Sequence, residues 1–181
     1  RPEVRRVDVS YDRLGDALGI NPAALRDVGA DLPTAAASTG LPFVMVPVNF
    51  LEHLSGGAPD HAALETLAEA HDAAGVYAFT FDTLNGDSTL HARAFAPSLG
   101  IPEDPATGTA AGACGGYLRE VGAFDGEFPE EVVVEQGHFV DRPSRIRVAV
   151  DTAVRVGGRA VTSLDGRLTV PPEDDDDILE V

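Results

Sequence analysis

Residues 94–118 read Ala94-Phe-Ala-Pro-Ser-Leu-Gly-Ile-Pro-Glu-Asp104-Pro-Ala-Thr-Gly-Thr-Ala-Ala-Gly-Ala-Cys-Gly-Gly-Tyr-Leu118. Asp104 stands where a helix N-cap belongs, and Pro105 fits a first helical turn, where its missing N–H costs nothing. The spacing predicts a helix over 104–118. From Pro105 to Gly116 almost every side chain is Ala, Gly, Thr or Cys. So slim a helix lets other backbone come close, which suits a central helix wrapped by a sheet. Each interior glycine costs about 1 kcal/mol relative to alanine. Gly108, Gly112, Gly115 and Gly116 therefore need a packing or ligand-contact reason.

The start of that helix carries the chemistry. Unpaired N–H groups around Ala106 to Thr109 make an anion site that the helix dipole favours. Thr107 and Thr109 add hydroxyl donors, and Gly108 lets a carboxylate or phosphate reach the backbone. Asp104 beside them can accept a hydrogen bond or handle a proton. The competing reading is a well-capped core helix that binds nothing. Nucleotide readings fail: there is no Gly-Lys-Ser/Thr, and Gly108-Thr-Ala-Ala-Gly lacks the second close glycine of a dinucleotide fingerprint.

Outward from this stretch, Val7 and Val9 alternate as in a strand, and Tyr11–Leu18 followed by Gly19 reads as a short helix with a glycine stop. Asn21-Pro-Ala-Ala-Leu is a capped turn. Phe43–Val48 is apolar on both faces, as a buried strand is. Asp60 is expected to cap a helix through Ala74, closed by Gly75. Val76–Phe81 and Thr89–Ala96 read as strands joined through Asn85-Gly-Asp, a hairpin signal. Further strands are expected at 131–136, 145–150, 152–157 and 159–163, with a turn at Asp165-Gly166 before Leu168-Thr-Val. Strands grouped around two helices, rather than alternating with them, give an α+β class.

Composition narrows the partners. The chain has 181 residues, with 13 Lys+Arg, all of them Arg, against 30 Asp+Glu, a net charge of −17. Without lysine there is no Schiff-base or P-loop chemistry. An acidic surface gives no sequence-independent grip on nucleic acid or on an anionic membrane. Abundant Asp with Arg in place of Lys fits either a high-salt organism or a GC-rich genome. One cysteine makes no internal disulfide, and with five scattered histidines no Cys-rich zinc site, so neither metal nor cofactor is expected. No apolar run reaches the length of a membrane span and no signal peptide opens the chain, so it reads as a cytoplasmic protein.

Arg93-Ala-Phe-Ala-Pro, Gly100-Ile-Pro-Glu-Asp-Pro-Ala-Thr-Gly-Thr-Ala and Tyr117-Leu resemble the signature of the PhzF-like phenazine-biosynthesis isomerase family. Ser38-Thr-Gly-Leu-Pro before Val46-Pro-Val, Gly75-Val-Tyr-Ala-Phe, Gln136-Gly with Arg142-Pro-Ser, and Val156-Gly-Gly-Arg-Ala-Val match in order. The resemblance implies a diaminopimelate epimerase-like fold, each lobe a curled mixed sheet wrapped around a central helix, with the ligand between lobes. It implies that Asp104 lines that cleft, and that Gly108 and Thr109, with Thr107, present donors to a substrate carboxylate. Ser38, Thr39 and Gly40 either approach the same cleft or form a turn into a buried strand. The resemblance also implies a homodimer.

Family members carry a catalytic glutamate and a Gly-His pair in an N-terminal lobe, and neither motif occurs here. The expected organisation is a remnant of that lobe and linker over 1–33 and a C-terminal lobe over 34–155. A closing segment over 156–172 would return to the N-terminal lobe, and an acidic tail would occupy 173–181. Three functions fit. The first is an isomerase shifting a proton on a small carboxylate-bearing metabolite without metal or nucleotide, its glutamate lying outside this sequence. The second is a half-domain that binds an anion or a partner without turnover. The third is a cofactor-independent epimerase or racemase, which a single cysteine disfavours.

Among single residues, Cys114 reads as a buried structural thiol and Arg93 as one partner of a salt bridge between adjacent strands. His138, in Gln136-Gly-His-Phe, reads either as a residue hanging over the ligand or, the stronger reading, as a surface-loop histidine.

Overall fold

The computed structural model describes residues 2–26, 28 and 32–170. The expected acidic tail at 173–181 lies outside the described residues. One mixed sheet organises the chain. Its strands are β1 (Glu3–Arg6), β2 (Ala35–Ser38), β3 (Pro42–Pro47), β4 (Gly75–Thr80), β5 (Leu90–Ala96), β6 (Ile101–Asp104), β7 (Val132–Gln136), β8 (Ser144–Val150) and β9 (Val154–Gly157). They run in the order β1-β2-β3-β4-β5-β7-β8-β9, with β6 paired on β5. Neighbours are antiparallel except β3 with β4 and β5 with β7. Each parallel pair needs a crossover, and the two crossovers take opposite faces of the sheet.

The β3–β4 crossover contains α2 (Leu51–Gly56) and α3 (His61–Glu69), which join α1 (Tyr11–Leu18) on one face. There Leu14, Leu18, Leu54, Leu64 and Leu67 pack on Val44, Val46, Val76 and Phe95. The β5–β7 crossover contains α4 (Gly108–Val121), which lies on the other face against Phe43, Met45, Tyr77, Phe79, Val134 and Val148. Helix α4 touches β1 and β2 at one end of the sheet and β8 and β9 at the other. The sheet therefore curls around it, as the class and the small-residue helix led one to expect. Both faces being covered, β3 and β4 are apolar almost without alternation, and β5 is buried along its whole length even though His91 and Arg93 alternate with its apolar residues.

The slimness of α4 is a packing device. A Cβ on Gly115 would stand 2.7 Å from a Val148 methyl, one on Gly112 3.0 Å from Val156, and one on Gly116 2.5 Å from Pro2. Val156 and Val154 of β9 thus close on the helix where Gly108 and Gly112 leave room.

Several boundaries differ from the sequence reading. Helix α4 begins at Gly108, with Thr107 as its N-cap residue, and ends at Gly122 in the left-handed conformation. Asp104 does not cap it; it ends β6, because Ile101–Asp104 finds an open edge on β5, with Ala94 opposite Asp104. Asp60 caps α3 through bonds from Ala62 N and Ala63 N, but the helix ends at Glu69 and Gly75 opens β4. A Cβ on Gly75 would lie 2.1 Å from the Phe95 carbonyl oxygen, so close strand contact, not a helix stop, requires that glycine. Asn85-Gly86 lies in a nine-residue connection, 81–89, rather than a two-residue hairpin turn. Residues 159–163 and 168–170 form no strand; Val161, Leu164, Leu168 and Val170 are exposed. β1 pairs with β2, so residues 3–6 belong to the same sheet as the lobe expected over 34–155.

Candidate active site at the start of the central helix

The loop between β6 and α4 is the three-residue stretch Pro105-Ala-Thr107, entered from Asp104, and its shape is set from a distance in sequence. Thr107 donates its hydroxyl to Asp104 Oδ2 at 2.6 Å, and Ala106 N reaches Asp104 Oδ1 at 3.5 Å. Gln136, the last residue of β7, is fully buried beneath them. Its Nε2 donates to the Asp104 carbonyl at 2.6 Å and to Thr107 Oγ1 at 2.9 Å. Its Oε1 accepts from Thr107 N and from the Tyr77 hydroxyl, both at 3.3 Å. Ser144 Oγ donates to the Pro105 carbonyl at 2.7 Å. Gly137, at φ +80°, presses so closely that a Cβ there would lie 2.7 Å from Pro105 O. The Asp104 carboxylate is therefore held at the helix mouth by a chain running from Gln136 to the Thr107 hydroxyl to Asp104.

This places the expected residues as follows. Asp104 is half-buried, and Thr107 gives its hydroxyl proton to Asp104 rather than to the open side. No acceptor among the described residues reaches the amides of Gly108, Thr109 and Ala110, the three that follow the N-cap residue. Ala106 and Gly108 line an open groove of about 1180 Å³, together with His138, Ser144, Val156 and Gly157. Asp104, Thr107 and Thr109 are not part of its lining. Ser38-Thr-Gly-Leu is the turn between β2 and β3, with Ser38 Oγ accepting from Gly40 N. That turn also reaches the helix start: Thr39 Oγ1 donates to the Thr109 carbonyl at 3.2 Å and lies 3.4 Å from Thr109 Oγ1. The turn reading of Ser38–Gly40 is thus what the structure shows, and the turn stands beside the helix start.

Three side chains escaped the sequence reading as site residues: Gln136, Tyr77 and Ser144. The signal in the sequence was the resemblance of Gly75-Val-Tyr-Ala-Phe, Gln136-Gly and Arg142-Pro-Ser to a family pattern. Arg93 stands, as expected, in a salt bridge between adjacent strands. It meets Glu103 of β6 at 3.0 and 2.7 Å, between the rings of Phe95 and Phe139. Cys114 is fully buried in α4, and burial pushes its thiol far above the usual range. His138 is not a free surface histidine; it is half-buried and packed on His91.

Among the described residues, no group of three or more His, Cys, Asp or Glu is placed to hold a metal ion. No helix there is long and apolar enough to cross a membrane. Chemically, the arrangement can hold an anion on free amides and present one oriented carboxylate beside it.

Comparison with known proteins bears on this geometry. The sequence model of a family described as phenazine biosynthesis-like protein matches residues 1–166. An uncharacterized isomerase of Bacillus subtilis, YfhB, is 33% identical over 166 residues, covering 91% of this chain and 54% of the relative. A trans-2,3-dihydro-3-hydroxyanthranilate isomerase of Pseudomonas fluorescens is 31% identical over 155 residues, covering 81% of this chain and 52% of the relative. The crystal structure of a Bacillus anthracis phenazine biosynthesis protein superposes with a TM-score of 0.71 at 26% identity, over 86% of this chain and 53% of that one. The chain thus spans about half the length of the curated relatives it matches.

Proposed function

The chain belongs to the phenazine biosynthesis-like family, and from that premise we propose that it is part of an isomerase that moves a proton within a small carboxylate-bearing metabolite. The observation that carries this reading is the free amides of Gly108 and Thr109 beside a carboxylate, Asp104, locked in place by Thr107 and Gln136. A substrate carboxylate takes the amides and the Thr109 hydroxyl, with Thr39 and the Ser38–Gly40 turn closing that side. Asp104 accepts or returns the proton. The glutamate that the resemblance implies as its counterpart comes from outside these 181 residues. In this proposal the segment 156–172 docks on another lobe. Its support is the exposed apolar row Val161, Leu164, Leu168 and Val170. A homodimer is part of the same proposal and rests on the resemblance alone.

The test uses two probes. Titration calorimetry with benzoate reads the carboxylate site, where Thr109→Val should weaken binding about fivefold by removing one donor. Deuterium uptake from heavy water into trans-2,3-dihydro-3-hydroxyanthranilate, followed by mass spectrometry, reads proton transfer. Asp104→Asn should slow uptake at least about 100-fold while leaving benzoate binding intact. Uptake by Asp104→Asn at the wild-type rate removes Asp104 from the chemistry.

A further inference from the structure

Asn85-Gly86 forms no tight hairpin turn, and its surroundings point to another role. The connection that carries it, 81–89, is moored to Glu135 on the face of the sheet opposite α4. Glu135 is fully buried. Its carboxylate accepts from Leu84 N and Asn85 N, each at 2.9 Å, from the Asn85 side-chain amide, and from His91 Nδ1 at 3.0 Å. Burial alone would raise this carboxyl, but these bonds outweigh it and hold it at about 2. An ionised carboxylate only accepts, so each polar group set against it has to donate. The Asn85 amide meets that condition, and an aspartate there would not.

On the outer side of the mooring the dipeptide is open. Asn85 and Gly86 are exposed, and no acceptor among the described residues takes the Gly86 N–H. Asparagine is a thermolabile residue, and most of all before glycine, where no Cβ crowds the following nitrogen as it approaches the side-chain carbonyl carbon. The two other asparagines of the chain lack that path. Asn21 precedes Pro22, which has no N–H. Asn49 precedes the bulky Phe50, and its amide donates to the Arg26 carbonyl at 2.6 Å.

We propose that Asn85 is a self-modification site whose conversion to aspartate or isoaspartate releases the 81–89 connection from Glu135 for good. Gly86 N bonds to Asn85 Cγ, the Cγ–Nδ2 bond breaks, and ammonia leaves with the proton from Gly86 N. Water then opens the resulting succinimide. Opening at the Cγ–N bond leaves aspartate; opening at the main-chain carbonyl leaves isoaspartate, with the chain running through Cβ and Cγ. Water enters, ammonia departs, and nothing is oxidised. The Asn85 amide reacts when it leaves Glu135, and the mooring does not re-form, because the product has no donor there and sets a second negative charge against Glu135. In isoaspartate the Asn85 carbonyl, which accepts from Ser88 N and Thr83 Oγ1, both at 3.0 Å, also leaves the main chain. Asn85 and Asp87 line the groove together with Ala106 and Gly108, so the change falls on its rim. The reaction is independent of what the groove binds.

Peptide mapping of the native chain held in mildly alkaline buffer tests the site, with the same chain unfolded in guanidinium chloride as the clock. Asn85 should gain about 1 Da with ammonia released in step, while Asn21 and Asn49 stay unchanged. Gly86 is not in the left-handed conformation and has nothing within 4 Å of an added Cβ, so Gly86→Ala keeps the fold. It should slow the gain at least about tenfold. Asn85→Asp copies one product. By hydrogen exchange its Leu84 amide should exchange at least about tenfold faster than in fresh wild type, while Tyr77 in β4 keeps its protection. A native chain that retains Asn85 throughout the time its unfolded form takes to convert, or a Gly86→Ala variant that converts as fast as wild type, overturns the site. Wild-type exchange at Leu84 in Asn85→Asp overturns the release.

Discussion

Gln136 joins Asp104, Thr107 and Tyr77 through a single buried carboxamide, with both its oxygen and its nitrogen engaged. Gln136→Leu preserves the volume but leaves the Asp104 carbonyl and Thr107 N without partners in the core. It should lower stability by about 2–3 kcal/mol, read as a shift of the urea midpoint. It should also loosen Asp104, so that deuterium uptake falls further than the loss of folded protein accounts for. Unchanged uptake per folded molecule would mean that Asp104 needs no such support. The Glu135–His91 pair makes a second prediction, on pH. Glu135 is held at about 2 against an ordinary 4.5, so it contributes stability above pH 4.5 that disappears as pH falls toward 2. His91 is pushed below its ordinary 6.5, first by burial, so its protonation favours the unfolded chain below that pH. Both effects have the same sign: the contribution of this pair to stability should fall from pH 6.5 downward, opposite to the relief of surface carboxylate repulsion that acidification brings. In urea titrations the stability advantage of wild type over Glu135→Gln should shrink as pH falls below 4.5, and an advantage unchanged between pH 6.5 and 3 rules the scheme out. Of the candidate site, the loop from Asp104 to Thr109 stood out in the sequence because a helix start is local chemistry, although Asp104 itself ends a strand. Gln136 and Tyr77 were not, since they stand 29 and 59 residues from their partners and meet them only through strand pairing.

At the scale of elements, local signals and tertiary pairing compete, and the outcome shows which wins where. Helix α1 was readable from its pattern and from Gly19, which adopts φ +66° as expected of a glycine stop; Ser10 caps its start by accepting from Arg13 N, a signal the sequence reading did not use. The start of α4 was misread by one strand: Asp104-Pro105 looks like a cap in isolation, but the open edge of β5 draws Ile101–Asp104 into the sheet. Likewise α2, entered through Phe50 at φ +55° with no side-chain cap, leaves no sequence mark. The glycines of α4 permit a test of packing against propensity. Gly115→Ala gains about 1 kcal/mol of helix propensity but meets Val148, a stiff β-branched neighbour at 2.7 Å, where overpacking costs about 1–3 kcal/mol. The net should be destabilising. Gly56→Ala, at the end of α2 with nothing within 4 Å of the new Cβ, should instead be neutral or stabilising by a few tenths of a kcal/mol. Paired urea denaturations of the two variants read the contrast. A stabilising Gly115→Ala would show that the sheet does not close on α4 as described.

For the molecule as a whole, a net charge of −17 adds repulsion that opposes folding and that local ion pairs do not balance. Thirteen arginines face 30 acidic residues, and several of the arginines already sit in pairs, Arg93 with Glu103, Arg145 with Asp87, Arg147 with Glu131 and Arg155 with Asp151. The remaining carboxylates repel one another over the surface, and compaction on folding brings them closer. Salt screens that repulsion, with a Debye length near 30 Å at 0.01 M, about 10 Å at 0.1 M and about 3 Å at 1 M. Stability should therefore rise steeply between about 10 mM and 0.3 M sodium chloride and flatten beyond, because by then the screening length is shorter than the spacing of most surface charges. Far-UV circular dichroism should show loss of structure at millimolar salt, restored on adding sodium or potassium chloride alike, since screening depends on ionic strength and not on the cation. A gain that continues linearly past about 1 M points to exclusion of salt from apolar surface instead, and the exposed row from Val161 to Val170 is where such an effect would act. Ellipticity and urea midpoint independent of salt down to a few millimolar would show that the two packed faces of the sheet outweigh a net charge of −17.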